Sequence, residues 1–99
     1  MIKIFRTIDG HIHQLNEASE GCWVVLANPT ATEILETANK FHIDQDDLRA
    51  PLDEEERSRI EVEDNYTLIL VDIPVIEERN EKDWFGTVPL GIIISEDMI

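Results

Sequence analysis

The side chains of this sequence that could do chemistry are mainly carboxylates, and many of them lie between residues 44 and 56. Mg²⁺ needs only one or two protein carboxylates, because it keeps several of its water ligands. Asp44, Asp46 and Asp47 have the spacing that begins an EF-hand calcium loop, but Arg49 stands where that loop needs glycine. A loose magnesium site therefore stays open, while most single carboxylate pairs in such a charged run are expected to be solvated.

Residue types other than carboxylates give weaker evidence of a metal or catalytic site. His11 and His13 lie two apart in a predicted strand, so their side chains share a face, but no third zinc ligand is evident. Cys22 is the only cysteine and precedes an apolar run, which predicts a buried, unreactive thiol and no disulfide. No serine lies in a nucleophile motif and no glycine-rich loop could hold phosphate. We expect that the protein is not an enzyme.

The composition is strongly acidic. The 99 residues include 22 acidic and 8 basic side chains, which gives a formal net charge of −14. This charge opposes binding to nucleic acid and to anionic membranes, and it attracts cations. Solubility explains an acidic surface equally well, so charge alone selects no function. The length predicts one small domain, residues 1–99, with a modest core.

Apolar alternation predicts the strands of the first third of the chain. Ile2–Ile8 and residues 12–15 should form a hairpin, because Asp9-Gly10 between them is a strong signal for a tight turn. Residues 22–26 form a short apolar run that predicts a buried strand. Asn28-Pro29 then ends this strand ahead of a helix.

Two helices are predicted next. Thr30 and Glu33 make the Thr-x-x-Glu capping box of the first helix. Its apolar stripe, expected to lie on the sheet, consists of Ile34, Leu35, Ala38 and Phe41. Asp44 is a suitable cap for a second, short helix that runs toward Pro51, with Leu48 and Leu52 facing inward.

The segment 52–74 joins a charged elbow to an apolar strand. A half-exposed strand is expected to direct Arg59 and Glu61 toward water and Ile60 and Val62 inward. Beyond an acidic turn, residues 66–71 are apolar at nearly every position, as in a strand buried on both faces.

The last two strands are expected at residues 66–75 and 84–94, joined by a mobile charged loop at Glu77–Asp83. Pro74 and Pro89 each remove a backbone donor, so each should mark a bulge, a sheet edge or a strand end. The predicted fold class is therefore α/β (α+β), with a mixed, largely antiparallel sheet and two short helices packed on it.

Three segments together resemble a known family. They are Trp23–Leu26 followed by Asn28-Pro29-Thr30, the elbow Arg57-Ser58-Arg59-Ile60-Glu61 with Tyr66, and Pro89-Leu90-Gly91-Ile92-Ile93. In order and spacing they resemble the cytoplasmic N-terminal domain of the CorA family of magnesium and cobalt transporters. The family elbow commonly has proline where this sequence has Ser58. The resemblance covers most of the chain and implies a CorA soluble-domain-like fold.

The resemblance implies a role in metal ion transport. CorA proteins are homopentamers whose cytoplasmic domains form a funnel below a pore of C-terminal membrane helices with a Gly-Met-Asn signature. That signature is not in this sequence, so we expect a C-terminally truncated domain at the cytoplasmic face of the cell membrane. In the family, Mg²⁺ bridges acidic groups of neighbouring subunits and holds the pore closed.

One position departs from the regulatory pattern. The family often has an acidic residue near the end of the second helix, where this sequence has Ala50, which cannot ligate a metal. Asp46, Asp47 and Asp53 are therefore the candidates for a relocated Mg²⁺ site. The alternatives are a domain of a related zinc transporter, which would share the fold, and a free-standing acidic protein-interaction module.

Overall fold

The alternating and continuous apolar runs form six strands, and the two capped segments form helices, in a computed structural model that describes all 99 residues. The strands are β1 (Ile2–Ile8), β2 (His11–Leu15), β3 (Trp23–Leu26), β4 (Arg59–Val62), β5 (Tyr66–Arg79) and β6 (Lys82–Ser95). The helices are α1 (Ala31–Phe41) and α2 (Gln45–Arg49), and a 3-10 turn at Ala50–Leu52 continues α2.

The strands divide into two three-stranded sheets, in the orders β2-β1-β3 and β4-β5-β6, and every strand pair is antiparallel. The α+β fold class and its two short helices are confirmed. The sequence predicted a single sheet, because strand patterns show which segments pair with something but not how many sheets the pairs make.

The first sheet is built on the predicted hairpin. Asp9 and Gly10 have φ angles of 51° and 79°, and positive values at both positions are those of a type I′ turn. Cys22, just before β3, is 3% exposed, as expected. The amide of Ile99 donates to the carbonyl of Cys22 (3.3 Å) and its carbonyl accepts from Val24 (2.8 Å). This is the pattern of a parallel pair, so Ile99 lies against β3 as an added strand residue would.

Helix α1 begins at the predicted capping box. Thr30 and Glu33 satisfy each other's backbone amides at 3.1 Å and 2.9 Å, and His42 ends the helix in the left-handed conformation. The stripe is shifted from the predicted one, because Thr37 is buried and Leu35 is 45% exposed. Leu35 is wrong as a core residue, since it lies about 100° around the helix axis from Ile34, which is at the centre of the buried face.

Helix α2 is capped by Asp44, whose carboxylate accepts from the amide of Asp46 at 2.8 Å. Ala50 is buried, whereas Leu52 is 50% exposed, so the prediction that Leu52 faces inward is wrong. The 3-10 turn has three residues per turn rather than 3.6, which changes the direction of the following side chains.

The second sheet carries the main core. Leu68 and Leu70 of β5 are fully or almost fully buried and pack with Ala50 and Ile93. The alternate residues of β5, from Thr67 to Val71, are only half-buried. The prediction that this strand is buried on both faces is therefore wrong, because helices cover one face only.

Strand β4 faces the opposite way from the prediction. Ile60 and Val62 are 68% and 79% exposed, while Arg59 and Glu61 are half-buried. The antiparallel register sets Arg59 opposite Leu70 and Ile60 opposite Ile69, and opposed residues share a face. Arg59 therefore lies on the helix-covered face of the sheet.

The prediction of a mobile loop at Glu77–Asp83 is wrong. Strands β5 and β6 stay paired to Arg79 and Lys82, and Asn80-Glu81 alone makes the turn, with φ angles of 52° and 61°. Pro74 and Pro89 lie at sheet edges, as predicted, because β4 pairs only with residues 67–70 of β5 and β6 has one neighbour. Beyond Leu70, β5 and β6 form a two-stranded ribbon.

Candidate functional site

A cluster of carboxylates lies where α2 meets the second sheet. Asp47 is on α2, Glu61 is in β4, and Glu63 follows β4. One carboxylate oxygen from each residue lies within 4.8 Å of the others. Asp47 and Glu61 are half-buried and Glu63 is exposed, so the cluster is open to solvent on one side. We call these three residues the acidic cluster.

Tyr66 holds the carboxylate of Asp47 in place. Its hydroxyl donates to the Asp47 carboxylate and accepts from the backbone amide of Asp44 at 3.2 Å. The ring is 7% exposed at the start of β5, so the hydroxyl is held in one place. Burial, and then the hydrogen bond to Asp47, raises the pKa of Tyr66 to about 12. The phenol is therefore a proton donor to Asp47 throughout the neutral range.

Arg59 positions Glu61 along the same strand face. Its Nε donates to Glu61 at 2.7 Å, and its Nη1 donates to Glu56 and to the carbonyl of Arg57. The hydrogen bonds to Glu56 and Glu61 raise the pKa of the Arg59 guanidinium above its ordinary value. Arg59 thus offsets part of the negative charge of the cluster, and it holds one oxygen of Glu61 in place.

The arrangement suits a hard divalent cation. Carboxylate oxygens are the ligands that Mg²⁺ takes from proteins, and the open side leaves room for the waters that it keeps. Three carboxylates so close together repel one another, and a divalent ion between them removes that repulsion. Glu63 has no side-chain hydrogen bond or ion pair of its own, so its oxygens are free to ligate.

The three metal-ligand candidates from the sequence lie in different places in the structure. Asp47 is in the acidic cluster. Asp46 has a 90% exposed side chain and lies 3.7 Å from Arg49. Asp53 accepts from the amide of Glu55 at 2.9 Å and lines a shallow depression between α1 and the 3-10 turn. Ala50, the departure from the family pattern, packs in the core.

Glu61 and Glu63 were missed as candidates. The signal was present, because residues 59, 61 and 63 alternate along one strand and so share a face. The alternating pattern predicted that this face is exposed to solvent, whereas in the structure it lies toward α2. His11 and His13 lie on exposed β2, remote in sequence from this cluster, and belong to no group of three possible metal ligands.

Two solved structures have the same arrangement of elements. The soluble domain of CorA from Methanocaldococcus jannaschii matches 99% of this chain with a TM-score of 0.77 and 26% sequence identity. This chain has the CorA soluble-domain fold. The complete CorA magnesium transporter from Methanocaldococcus jannaschii also matches 99% of the chain, with a TM-score of 0.77 and 24% identity. The CorA resemblance drawn from the sequence is therefore confirmed.

The match has a defined extent. The chain spans 38% of the solved CorA soluble domain and 30% of the complete CorA chain. No family model and no curated protein matches the sequence. Neither α1 nor α2 has the length and apolar content to cross a bilayer.

Proposed function

We propose that this CorA-like domain is the cytoplasmic Mg²⁺-sensing part of a magnesium transporter rather than an enzyme. The observation that carries the proposal is the acidic cluster on a fold that matches CorA over 99% of the chain. A site open on one side binds and releases Mg²⁺ as its concentration changes, which suits a sensor. In the whole protein we place the domain at the cytoplasmic face of the membrane, with Mg²⁺, and Co²⁺ as a second ion, as cargo.

The proposed mechanism is electrostatic. Asp47 of α2, with Glu61 and Glu63 beside β4, would hold Mg²⁺, and the ion would remove the repulsion between these carboxylates that favours a looser contact between α2 and the sheet. Asp46 and Asp53 are exposed, so in a homopentamer they would be available to a shared ion between neighbouring subunits. Formation of these contacts between subunits at high Mg²⁺ is the step that would signal to the pore.

Mg²⁺ binding is tested by titrating the protein with MgCl₂ while recording backbone amide NMR spectra, with NaCl at matched ionic strength as the reference. We expect saturable shifts at α2 and β4 in the millimolar range. Asp47→Asn and Glu63→Gln should abolish them, and Glu17→Gln, far along the chain in an exposed loop, should not. Shifts that are linear in Mg²⁺, or that survive both cluster variants, would contradict the proposal.

Bridging of subunits is tested separately by sedimentation velocity with and without Mg²⁺, using Asp46→Asn and Asp53→Asn. The transport role is tested by reading the gene past codon 99 for two long apolar segments with Gly-Met-Asn at the end of the first. A stop codon near codon 99 would overturn the transport role and favour a free-standing interaction module. A pore sequence of another type would favour the related zinc transporter.

A further inference from the structure

The hairpin of β1 and β2 carries two histidines whose side chains lie on one face. His11 and His13 are two positions apart in β2, and alternate residues of a strand project from the same face. The register sets His13 opposite Arg6 and His11 opposite Ile8, so the pairing with β1 fixes which face that is. Both histidines are exposed, and β2 is an edge strand of the first sheet. We call His11 and His13 the histidine pair.

Neither ring of the histidine pair is engaged by the rest of the protein. The side-chain hydrogen bonds and ion pairs are made by carboxylates, guanidinium groups, amides, hydroxyls and the N-terminal amine, and neither imidazole takes part. A neutral imidazole offers one ring nitrogen as an acceptor, and it is the commonest metal ligand in proteins. Both rings are therefore available to one ion, and binding breaks no contact that stabilises the fold.

The positive charge opposite the pair is directed elsewhere. Arg6 lies across the strands from His13, where a guanidinium group over the ring would repel a metal ion. A Cβ placed on Gly21 would, however, lie 4.0 Å from Nε of Arg6. Gly21 just precedes β3, and β3 and β2 lie on opposite sides of β1. The Arg6 side chain therefore leans across the sheet toward β3 and away from the histidine pair.

The spacing of the pair suits chelation. Positions two apart in a strand are about 6.6 Å from each other. Two nitrogens that each lie about 2.0–2.1 Å from one ion, in adjacent coordination positions, are about 3 Å apart. Each ring therefore has to lean toward the other by about 2 Å, which rotation about its side-chain bonds supplies. The Asp9-Gly10 turn and the pairing of all five residues of β2 hold the strand extended, so the ligands are in place before an ion arrives.

Ligand chemistry identifies the class of ion. Mg²⁺ takes oxygen ligands, whereas imidazole suits transition metals. Zinc sites use three or four protein ligands, and the histidine pair belongs to no group of three possible ligands. Ions that form square-planar or octahedral complexes, with water in the remaining positions, fit two ligands better, and these are Co²⁺, Ni²⁺ and Cu²⁺. The net charge of −14 attracts any of them to the protein.

We propose that His11 and His13 chelate one divalent transition-metal ion, of the class of Co²⁺, Ni²⁺ and Cu²⁺, at the exposed end of the first sheet. This site goes beyond Mg²⁺ sensing, since the acidic cluster lies on α2 and beside β4, in another part of the chain. Two protein ligands leave most of the coordination shell to water, so the ion is exchangeable. The domain then binds hard ions at its carboxylates and softer ions at its imidazoles.

The probes are CoCl₂ and NiCl₂, added to the full chain in excess MgCl₂, which competes for the carboxylates. Co²⁺ is paramagnetic and broadens the amide NMR signals of nearby residues. We expect selective broadening of β1 and β2, and saturation at one ion per chain in calorimetry. Ni²⁺ should bind more tightly than Co²⁺, because affinities for nitrogen ligands rise in that order.

Histidine variants identify the ligands. His11→Gln and His13→Gln should each weaken Ni²⁺ binding by about tenfold or more, since loss of even an outer partner of a metal ligand costs about 10–100-fold. Both positions are exposed, so the fold should tolerate the changes, and the urea midpoint without metal checks this. His42→Asn is the control. His42 is exposed, and asparagine accommodates its left-handed backbone, so the affinity should not change.

Three results would overturn the proposal. One is broadening that spares the hairpin, or an affinity for Ni²⁺ that either histidine variant leaves unchanged. Another is displacement of the ion from the hairpin by Mg²⁺. The third is saturation at one ion per two chains together with a dimer in sedimentation velocity, because the ion would then bridge two copies. The Mg²⁺ titration followed at α2 and β4 has its own outcome, so failure of either proposal is recognised separately.

Discussion

Tyr66 links α2 to the second sheet through one hydroxyl group, which donates to Asp47 and accepts from the amide of Asp44. Its pKa is about 12 in the folded protein and about 10 when unfolded. The folded state therefore holds the phenolic proton more tightly. The stability from this proton is fully present below about pH 10 and is lost as the pH rises toward about 12.

We expect Tyr66→Phe to lower the free energy of unfolding by about 1–2 kcal/mol at neutral pH, because the part-buried amide of Asp44 loses its acceptor and Asp47 loses its donor. Urea unfolding measures this. Tyr66 is the only tyrosine, so the ultraviolet absorbance of tyrosinate gives its pKa directly. An ordinary pKa near 10, or an unchanged stability of Tyr66→Phe, would show that the hydroxyl does not join α2 to the sheet.

The acidic cluster shows what residue spacing can and cannot predict. Alternation correctly placed Arg59 and Glu61 on one face of a strand and Ile60 and Val62 on the other. Which face is covered depends on where α2 packs, and that is a long-range contact with no signature inside the strand. The apolar residues were therefore assigned to the interior, and Glu61 and Glu63 were not recognised as neighbours of Asp47.

At the scale of elements, local signals were the most reliable. The Asp9-Gly10 turn and the Thr30 capping box were predictable because a handful of adjacent residues fixes their backbone geometry. The two-residue turn at Asn80-Glu81 was not, because charged residues on a projecting ribbon look like an unstructured loop. The pairing of β5 with β6 over 14 residues decides it.

The capping box gives a prediction for α1. Thr30→Ala removes the acceptor for the amide of Glu33 and should lower stability by about 1 kcal/mol in urea unfolding. Thr30→Ser keeps the acceptor and should be nearly neutral. Thr32→Ala is the control, since Thr32 is exposed and replacement by the better helix former should not destabilise. Equal effects at positions 30 and 32 would mean that propensity, not capping, governs α1.

The contact between β6 and the 3-10 turn gives a sharper prediction. A Cβ at Gly91 would lie 2.2 Å from Cγ of Pro51, so Gly91→Ala should push the turn from the sheet and cost about 1–3 kcal/mol. Gly86 is the matched control on the same strand, where a Cβ meets only Val75 at 3.9 Å. Gly86→Ala should be neutral or slightly stabilising.

Adding Pro51→Ala to Gly91→Ala should recover part of the lost stability, because the clash is with the proline ring. Urea unfolding of the four proteins measures the coupling between the two positions. If Gly91→Ala is as harmless as Gly86→Ala, the 3-10 turn is not packed on β6, and the covered face of the second sheet would need a different description.

At the scale of the molecule, the sequence predicted the α+β class and the CorA-like fold. Both depend on the order of the helices and strands along the chain, which was predicted correctly even where the burial of single residues was not. It did not predict that one sheet face stays open. Apolar residues on both faces of β5 predict that both faces are covered, but they do not show which face the helices leave exposed. The register of the strands and the exposed fractions of their side chains show which face that is.

The net charge of −14 leads to a prediction about salt. Four side-chain ion pairs are present, so most of the 22 acidic side chains only repel one another. At about 0.01 M salt the Debye length is roughly 30 Å, comparable to the molecule, and at about 1 M it is roughly 3 Å. We expect the urea midpoint to rise as NaCl is added, because screening removes repulsion that favours the expanded state.

A double variant isolates this effect. Glu63→Lys with Glu96→Lys adds two charge units at each position, changing the net charge from −14 to −10. The urea midpoint of the variant should be higher at low salt and should depend less on NaCl. A midpoint that falls with NaCl would mean that the Arg59 ion pairs outweigh the general repulsion.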